Sequence, residues 1–381
     1  MKKIRSAVIG IGFIGAAHVE AIRRLGNVEV VALCDEDDRT DAGKKLSVDK
    51  TYRDYRRMID ECDLDFVHIC TPNNTHMEMA CYAMEKGVHV ICEKPLAHNV
   101  REAEIMTAMA EESGLINAVN FHSRYYPLIR EMKDKICKGD LGKIITIHGS
   151  YLQDWLLYDT DYSWRLESEK SGSSRAVADI GSHWMDSVEY ITGLKIQKIF
   201  ADFSTVYPVR KMPLGRLDTF SSNKPGQAVD YKEIDINTED LALMIFEFSN
   251  GAKGSLMVSQ MFAGKKNQMT IAVAGTESAL SFDTERLQEL WSGFRNQPNS
   301  LLIKDPALLG NLSRTITAFP GGHVEGFPDA FKAAFQEIYR SFQDRDSAIE
   351  YATFKDGLRE MRLCEAIVEA AQRREWVSVD N

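Results

Sequence analysis

The sequence predicts two domains, a parallel doubly wound α/β sheet over residues 1–121 and an antiparallel α+β domain over residues 122–381. Three observations carry that expectation. At 381 residues the chain is longer than one ordinary core organises. Up to residue 121, short β-rich runs alternate with helical segments over short connections, the pattern of parallel strands joined by crossover helices. Beyond it the chain turns β-rich, with tight-turn signals between the runs and few helical ones.

In order, the first domain has candidate strands at 4–9, 28–34, 66–70, 88–92 and 116–120, with helices at 15–25, 55–61, 76–85 and 100–112 between them. A further helix is expected near 127–138 and a strand at 144–151. An aromatic-rich loop then leads to a helix bearing Asp179 and His183, for which Gly193 is a suitable C-cap. Strands at 241–248 and 252–261 flank Ser249-Asn250-Gly251, a hairpin signal. Those at 268–274 and 279–283 flank Gly275-Thr276-Glu277. A long loop at 292–326 precedes terminal helices at 328–343 and 355–373. Loops of that length tend to be functional or to contact another subunit.

Composition narrows the class. Hydrophobic residues at 44% and charged residues at 27% describe a globular protein, and a net charge of −10 argues against nucleic-acid binding or a basic membrane patch. No run approaches 18 apolar residues, and the N-terminus lacks the apolar core of a signal peptide, so a cytoplasmic location is expected. The seven cysteines (34, 62, 70, 81, 92, 137 and 364) show no zinc spacing, and several lie in apolar runs; they read as free thiols in a reducing compartment.

Four segments carry chemistry. Gly10-Ile11-Gly12-Phe13-Ile14-Gly15 follows a predicted strand and opens a predicted helix. In a dinucleotide-binding (Rossmann) turn the first glycine makes the bend and the second admits a pyrophosphate. The third lets helix and strand pack closely. Asp35 ends the second strand, where an acid bonds ribose hydroxyls; with Glu36 it would repel a 2′-phosphate and favours NAD over NADP, although Arg39 could assist a phosphate. Thr71-Pro72-Asn73-Asn74-Thr75-His76 ends the third strand, facing a cofactor by the rule for open α/β sheets, or capping the next helix through Asn74 or Thr75. Glu93-Lys94-Pro95 ends the fourth: Lys94 could bond a substrate hydroxyl, or be a solvated surface lysine, and its bond to Pro95 could be cis. In Asp179-Ile180-Gly181-Ser182-His183-Trp184-Met185-Asp186, Asp179 and His183 stand at i and i+4, a spacing that puts both on one helix face. A carboxylate there can orient an imidazole acting as acid or base near neutral pH. The plainer readings are that Asp179 is a helix N-cap and His183 a packing residue. No metal is expected.

Together, and in this order, these segments resemble the glucose–fructose oxidoreductase / inositol dehydrogenase (Gfo/Idh/MocA) family. So do Asn120 through Pro127 with Arg124. Tyr151-Leu152-Gln153-Asp154-Trp155, Trp164-Arg165 and Gly321-Gly322-His323 are similar to segments of its sugar-oxidising branches, nearest in character to the levoglucosan dehydrogenase-like group. The resemblance implies a Rossmann domain joined to an α+β domain with a large, open, predominantly antiparallel sheet that mediates homodimers or homotetramers. It implies oxidation of a ring secondary hydroxyl of a sugar, glycoside, anhydrosugar or inositol, with NAD as cofactor and Lys94, Asp179 and His183 as the catalytic trio. The cofactor would meet Gly10, Gly12, Phe13, Ile14, Gly15, Asp35, Thr71, Pro72, Asn73, Asn74, His76, Glu93, Lys94, Asn120, Trp164 and Arg165. The substrate would meet Lys94, Tyr125, Gln153, Trp155, Arg165, Asp179, His183 and His323, the last lying on this chain or a neighbour's. Core packing is the rival reading for Trp155 and Trp164. Two alternatives stay open: a non-catalytic dinucleotide-binding sensor or co-regulator, and an oxidoreductase that never releases its cofactor.

Overall fold

The apolar run Ile4–Ile9 (β1) forms the centre of a parallel sheet with Val28–Cys34 (β2), Thr51–Tyr52 (β3), Phe66–Ile69 (β4), His89–Cys92 (β5) and Asn117–Val119 (β6). The strands run in the order β3-β2-β1-β4-β5-β6. This computed structural model describes residues 3–36, 40–214 and 230–379, so Arg39 lies outside the described residues. Order reverses between β1 and β4, and ligands of doubly wound sheets bind at the carboxyl ends of the strands flanking such a reversal. Every residue of β4 and β5 is buried, as expected of parallel strands covered on both faces. Helices His76–Glu85 and Val100–Ser113 supply one cover, packing Ala80, Ala83, Met84, Ala103 and Met106 into the core.

Further cover comes from late in the chain. The unit built on this sheet comprises the chain up to His122, Glu169–Gly172 and Pro328–Met361. Phe331 and Phe335 of the helix Phe327–Gln343 pack their rings on His18, and Phe335 also meets His68. Tyr339 and Phe342 pack on Phe66. Val119 N–H donates to Ala352 carbonyl at 2.8 Å. A single cut at residue 121 therefore does not describe the packing: residues 328–361, assigned from sequence to the second domain, complete the core of the first.

The second unit holds Ser123–Ser168, Ser173–Phe327 and the chain from Arg362. Its strands are Ile144–Leu152 (β7), Ile196–Ser204 (β8), Val209–Pro213 (β9), Tyr231–Asp235 (β10), Leu241–Phe248 (β11), Lys253–Ser259 (β12), Gln268–Gly275 (β13), Ala279–Asp283 (β14), Glu289–Gly293 (β15), Ser300–Ile303 (β16) and Val377–Ser378 (β17). Strands β9 and β10 pair separately. The other nine form one sheet in the order β16-β15-β14-β13-β7-β12-β11-β8-β17, antiparallel at every pairing except β7 with β12. Sequence periodicity anticipated β7 and β11 through β14. It did not anticipate β8, β9, β10 or β15. The 292–326 stretch is less of a loop than expected, since it contains β16 and the short helix Asn311–Ile316. That helix is tied down where Gly310 and Ser313 N–H groups donate to Glu131 and Asp134 at 2.7 and 3.2 Å.

Alternation along β11 and β14 shows one covered face and one open face. On the covered side, Trp184 of the helix Ser182–Thr192 is fully buried, stacks on Phe246 and donates its indole N–H to Thr270 carbonyl at 2.9 Å. It lies so close that a Cβ on Gly149 would fall 2.3 Å from its Nε1, so glycine is required in β7. Removing a buried tryptophan costs about 3–5 kcal/mol, a large share of a typical domain's stability. The open face carries Leu243, Ile245, Trp291 and Leu301, all exposed. None of the seven cysteines is in a disulfide, and Cys137 is exposed. No helix among the described residues is long and apolar enough to cross a membrane.

The first unit buries histidines that resist protonation. Burial, with the charge of Arg345, pushes His89 down to about 4, and burial holds His122 at about 4 and His68 well below its ordinary value. The unfolded chain takes up these protons near its ordinary value of 6.5. Stability is therefore complete above that value and drains as the pH falls toward 4. Thermal melts across this range should show the midpoint falling with pH, and His89→Gln should flatten the dependence. A midpoint constant from neutrality to pH about 4 would contradict the assignment.

Candidate active site

The glycine turn sits at the carboxyl end of β1. Gly10 has φ +86°, and a Cβ there would lie 2.6 Å from Cys70 carbonyl oxygen; a Cβ on Gly15 would lie 1.9 Å from Gly10 carbonyl oxygen. Both positions thus exclude any side chain. Gly12 differs: a Cβ there would meet nothing among the described residues within 4 Å. Its openness leaves the first amides of the helix Phe13–Arg23 approachable, and such amides attract anions. Phe13 is exposed and Ile14 half-buried. Asp35, ending β2, accepts from Ile11 N–H at 2.8 Å, which holds its carboxylate beside the turn.

Beyond β4, Thr75 does not cap the following helix. Its hydroxyl donates back to Thr71 Oγ1 and Pro72 carbonyl, both at 2.7 Å. Asn73 is buried, its Nδ2 donating to Ser171 carbonyl at 2.9 Å, and Asn74 is exposed. His76 is fully buried. Its Nε2 lies 2.9 Å from Thr71 carbonyl oxygen and its Nδ1 3.1 Å from that of Pro95, so it staples the loop after β4 to the loop after β5. Lys94, half-buried, precedes a cis bond to Pro95.

Glu93 roots that second loop in a buried chain. Tyr339 donates to Ser6 Oγ at 3.0 Å, so its oxygen accepts from His68 Nε2 at 2.7 Å. His68 Nδ1 must then accept from His18 Nδ1 at 2.8 Å, which leaves His18 Nε2 facing Glu93 Oε1 at 2.9 Å. Burial pushes the Glu93 carboxyl up, but His18, Lys94 and Asn120 outweigh it and hold it at about 2. Asn120 donates Nδ2 to Glu93 at 2.6 Å, and its buried Oδ1 has no hydrogen-bond partner among the described residues.

In the second unit, Asp179 is not an N-cap. It lies inside a π-helical turn, Val177–Gly181, that runs directly into Ser182–Thr192, and its own amide donates to Arg175 carbonyl at 2.8 Å. Such turns recur at functional sites. Gly193, at φ 67°, ends the helix as expected. Asp179 Oδ1 accepts from Arg165 Nε at 3.1 Å and Oδ2 from Gln260 Nε2 at 2.8 Å. His183 is buried, with Nδ1 3.4 Å from Ser123 Oγ. Ser123 is placed by its neighbour Arg124, whose guanidinium grips Asp186 through Nε at 2.8 Å and Nη2 at 2.5 Å. Arg165 lies over the Trp164 ring, 4.5 Å from its centroid. Gln153 joins one other candidate, accepting from Trp155 Nε1 at 2.7 Å, and donates to Asn267 at 2.8 Å. Trp155 packs partly against Leu156, Leu166 and Ile236, so its core role is real. Tyr125 is buried beneath the Arg130 guanidinium, and His323 is exposed on a loop anchored by buried Lys304, which donates to His323 carbonyl at 2.9 Å and to Glu325. Sequence reading missed His18, His68, Ser123 and Gln260; only His68, a polar residue inside a fully apolar strand, left a local signal.

The turn suits a dinucleotide on structural grounds: an open Gly12, an acid fixed beside it at Asp35, and an orphaned buried acceptor at Asn120 that an amide N–H₂ would satisfy. Fold and turn define an NAD-binding oxidoreductase domain. The model of the Gfo/Idh/MocA oxidoreductase family's NAD-binding Rossmann fold matches residues 4–121, and that of its C-terminal domain matches residues 129–281. The chain belongs to this family. Levoglucosan dehydrogenase of Pseudarthrobacter phenanthrenivorans is 27% identical over 395 residues, covering 100% of this chain and 99% of that protein. D-glucoside 3-dehydrogenase of Escherichia coli is 27% identical over 85% of this chain and 89% of its own length. A solved levoglucosan dehydrogenase complex with NADH and L-sorbose superposes with a TM-score of 0.88 at 27% identity, covering 100% of both chains.

The contrast between glycines is testable. Gly12→Ala should leave the melting temperature nearly unchanged while weakening NAD binding about tenfold or more, as read by titration of protein fluorescence. Gly15→Ala should destabilise the fold by about 1–3 kcal/mol or more. Equal effects of the two substitutions on stability would refute the reading.

Proposed function

We propose that this protein is an NAD-dependent dehydrogenase that reversibly oxidises a ring secondary hydroxyl of a sugar, glycoside, anhydrosugar or inositol to a ketone. The observation that carries the reading is the π-turn and helix that place a buried histidine, His183, one turn after a carboxylate already engaged by Arg165. The named relatives, which act on levoglucosan and D-glucosides, support the substrate class.

In this reading the Gly10–Gly15 turn, Asp35, the Thr71–Asn74 loop and Asn120 hold the dinucleotide, and Asp35 selects against a 2′-phosphate. The nicotinamide supplies the hydride acceptor. Lys94 donates a hydrogen bond to the substrate oxygen and favours its ionisation. His183 takes the alcohol proton at Nε2 while Nδ1 stays directed at Ser123. Asp179 supports the imidazolium that forms, and Trp155, Arg165, Tyr125, Gln153 and His323 shape recognition of the ring. A general base contributes about 10²–10⁴-fold. His183→Ala and Lys94→Ala should accordingly each lower kcat by at least about a hundredfold, with NAD binding retained. Assays of NAD and NADP reduction with inositols, glucosides, xylose and anhydrosugars identify the substrate; no reduced cofactor from any polyol would sink the proposal.

The open sheet face suits a second copy of the chain. Leu243→Glu should then lower the mass seen in sedimentation, whereas an unchanged mass would leave that face without a subunit role.

A further inference from the structure

We infer that Gln260 is a positioning residue that, with Arg175 behind it, keeps Asp179 ionised, so that the substrate proton passes to His183 alone. The inference rests on the roles given above to Asp179 and His183 and extends them to side chains one and two links back.

Gln260 is fully buried. Its amide orientation is dictated by its neighbours. Arg175 can only donate, and its Nη1 donates to Gln260 Oε1 at 3.4 Å, so the amide N–H₂ must turn toward Asp179, where it donates to Oδ2 at 2.8 Å. Arg175 is itself fixed. Its Nη2 donates to Asp240 Oδ1, which also accepts from Arg210 Nη2 at 2.8 Å, and its Nε reaches Thr238 Oγ1 at 3.3 Å. Gln260 N–H donates to Asp240 carbonyl at 3.1 Å, so the glutamine backbone is anchored to the same cluster. Glu239 secures the other end. Its carboxylate accepts from Ser174 Oγ and from the amides of Arg175 and Val177 at 2.8–2.9 Å, which fixes the entry to the π-turn.

The consequence for Asp179 is chemical. Oδ1 meets Arg165 Nε–H and Oδ2 meets Gln260 Nε2–H, and neither donor has a lone pair to offer at that contact. A proton placed on Asp179 there would oppose a hydrogen already present, so the arrangement favours the carboxylate. Tyr151 also lies near Asp179, His183 follows it four residues on, and Arg175 stands behind Gln260. Burial pushes Tyr151 far up, so it stays neutral.

The test uses the full-length protein with ¹³Cγ-labelled aspartate and needs no substrate. The Asp179 resonance, assigned by its loss in Asp179→Asn, is titrated in the wild type, in Gln260→Met and in Gln260→Glu, with near-ultraviolet circular dichroism checking that each folds. Gln260→Met removes the donor and should move the Asp179 midpoint to higher pH. Gln260→Glu, adding a like charge, should move it further, by a pH unit or more, tenfold in proton affinity. The acid limb of kcat should shift in the same direction. An Asp179 midpoint that coincides in all three proteins would overturn the inference. So would a fall in kcat that is uniform across pH, the mark of a purely structural role. The underlying reading fails separately: near-normal turnover by His183→Ala would remove the catalytic assignment, whatever the Asp179 titration shows.

Discussion

Charge withdrawn from water must be answered by geometry, and in the second unit that requirement organises everything around the helix that carries His183. Arg175, Arg210, Asp240 and Glu239 are all buried; the two arginines share Asp240, while Glu239 takes hydroxyl and backbone donors. Burial pushes the Asp240 carboxyl up, but Arg175 and Arg210 more than offset it. Buried ion clusters of this kind contribute little net stability compared with an apolar core, because desolvation cancels most of the attraction. What they give is a single permitted arrangement. Gln260, which follows β12, donates its amide N–H to the Asp240 carbonyl just ahead of β11, and Ser174, Arg175 and Val177 at the entry to the π-turn donate to Glu239, so the turn inherits its position from the sheet.

The first unit solves a related problem differently. Its strands are buried on both faces, and polar side chains among them form a line of neutral or paired groups from Ser6 through Tyr339, His68 and His18 to Glu93. Each hydrogen along the line has one place to go, so the carboxylate beneath Lys94 is held by direction as well as by charge. The two units thus present their chemical groups from rigid backing, and neither depends on a surface ion pair, which is worth little in water.

Much of this was legible in the sequence. The glycine spacing, Asp35 and the strand ends at Thr71 and Glu93 follow from local pattern, because turn sterics and the alternation of strand and helix are short-range properties. The Asp179–His183 spacing was legible as well, but the π-turn beneath it was not, since that turn is imposed by Glu239 more than sixty residues away. Gln260 and Arg175 were invisible for the same reason: nothing in their own neighbourhoods marks them, and their meaning lies in which distant donor faces which acceptor. Strand β8 went unseen because its alternation is weak and its partners, β11 and β17, lie far along the chain. Thr75 shows the converse, a residue whose local pattern suggested a helix cap while its hydroxyl donates back to Thr71 and Pro72.

The return of residues 328–361 to the first sheet has a consequence for the order in which the protein is made. The strands of that sheet leave the ribosome early, yet the helix carrying Phe331, Phe335 and Tyr339 follows only after nearly the whole second unit. Until then the aromatic and histidine side chains of β4 and β5 await their cover, in a growing chain whose apolar strands would favour association with other chains. Closing so long a loop adds only a small entropic cost, because that cost grows with the logarithm of length. The delay itself is fixed by translation. Maturation of the cofactor domain is therefore among the last events in the life of the nascent chain, and it is the stage at which a holding chaperone would have most to protect.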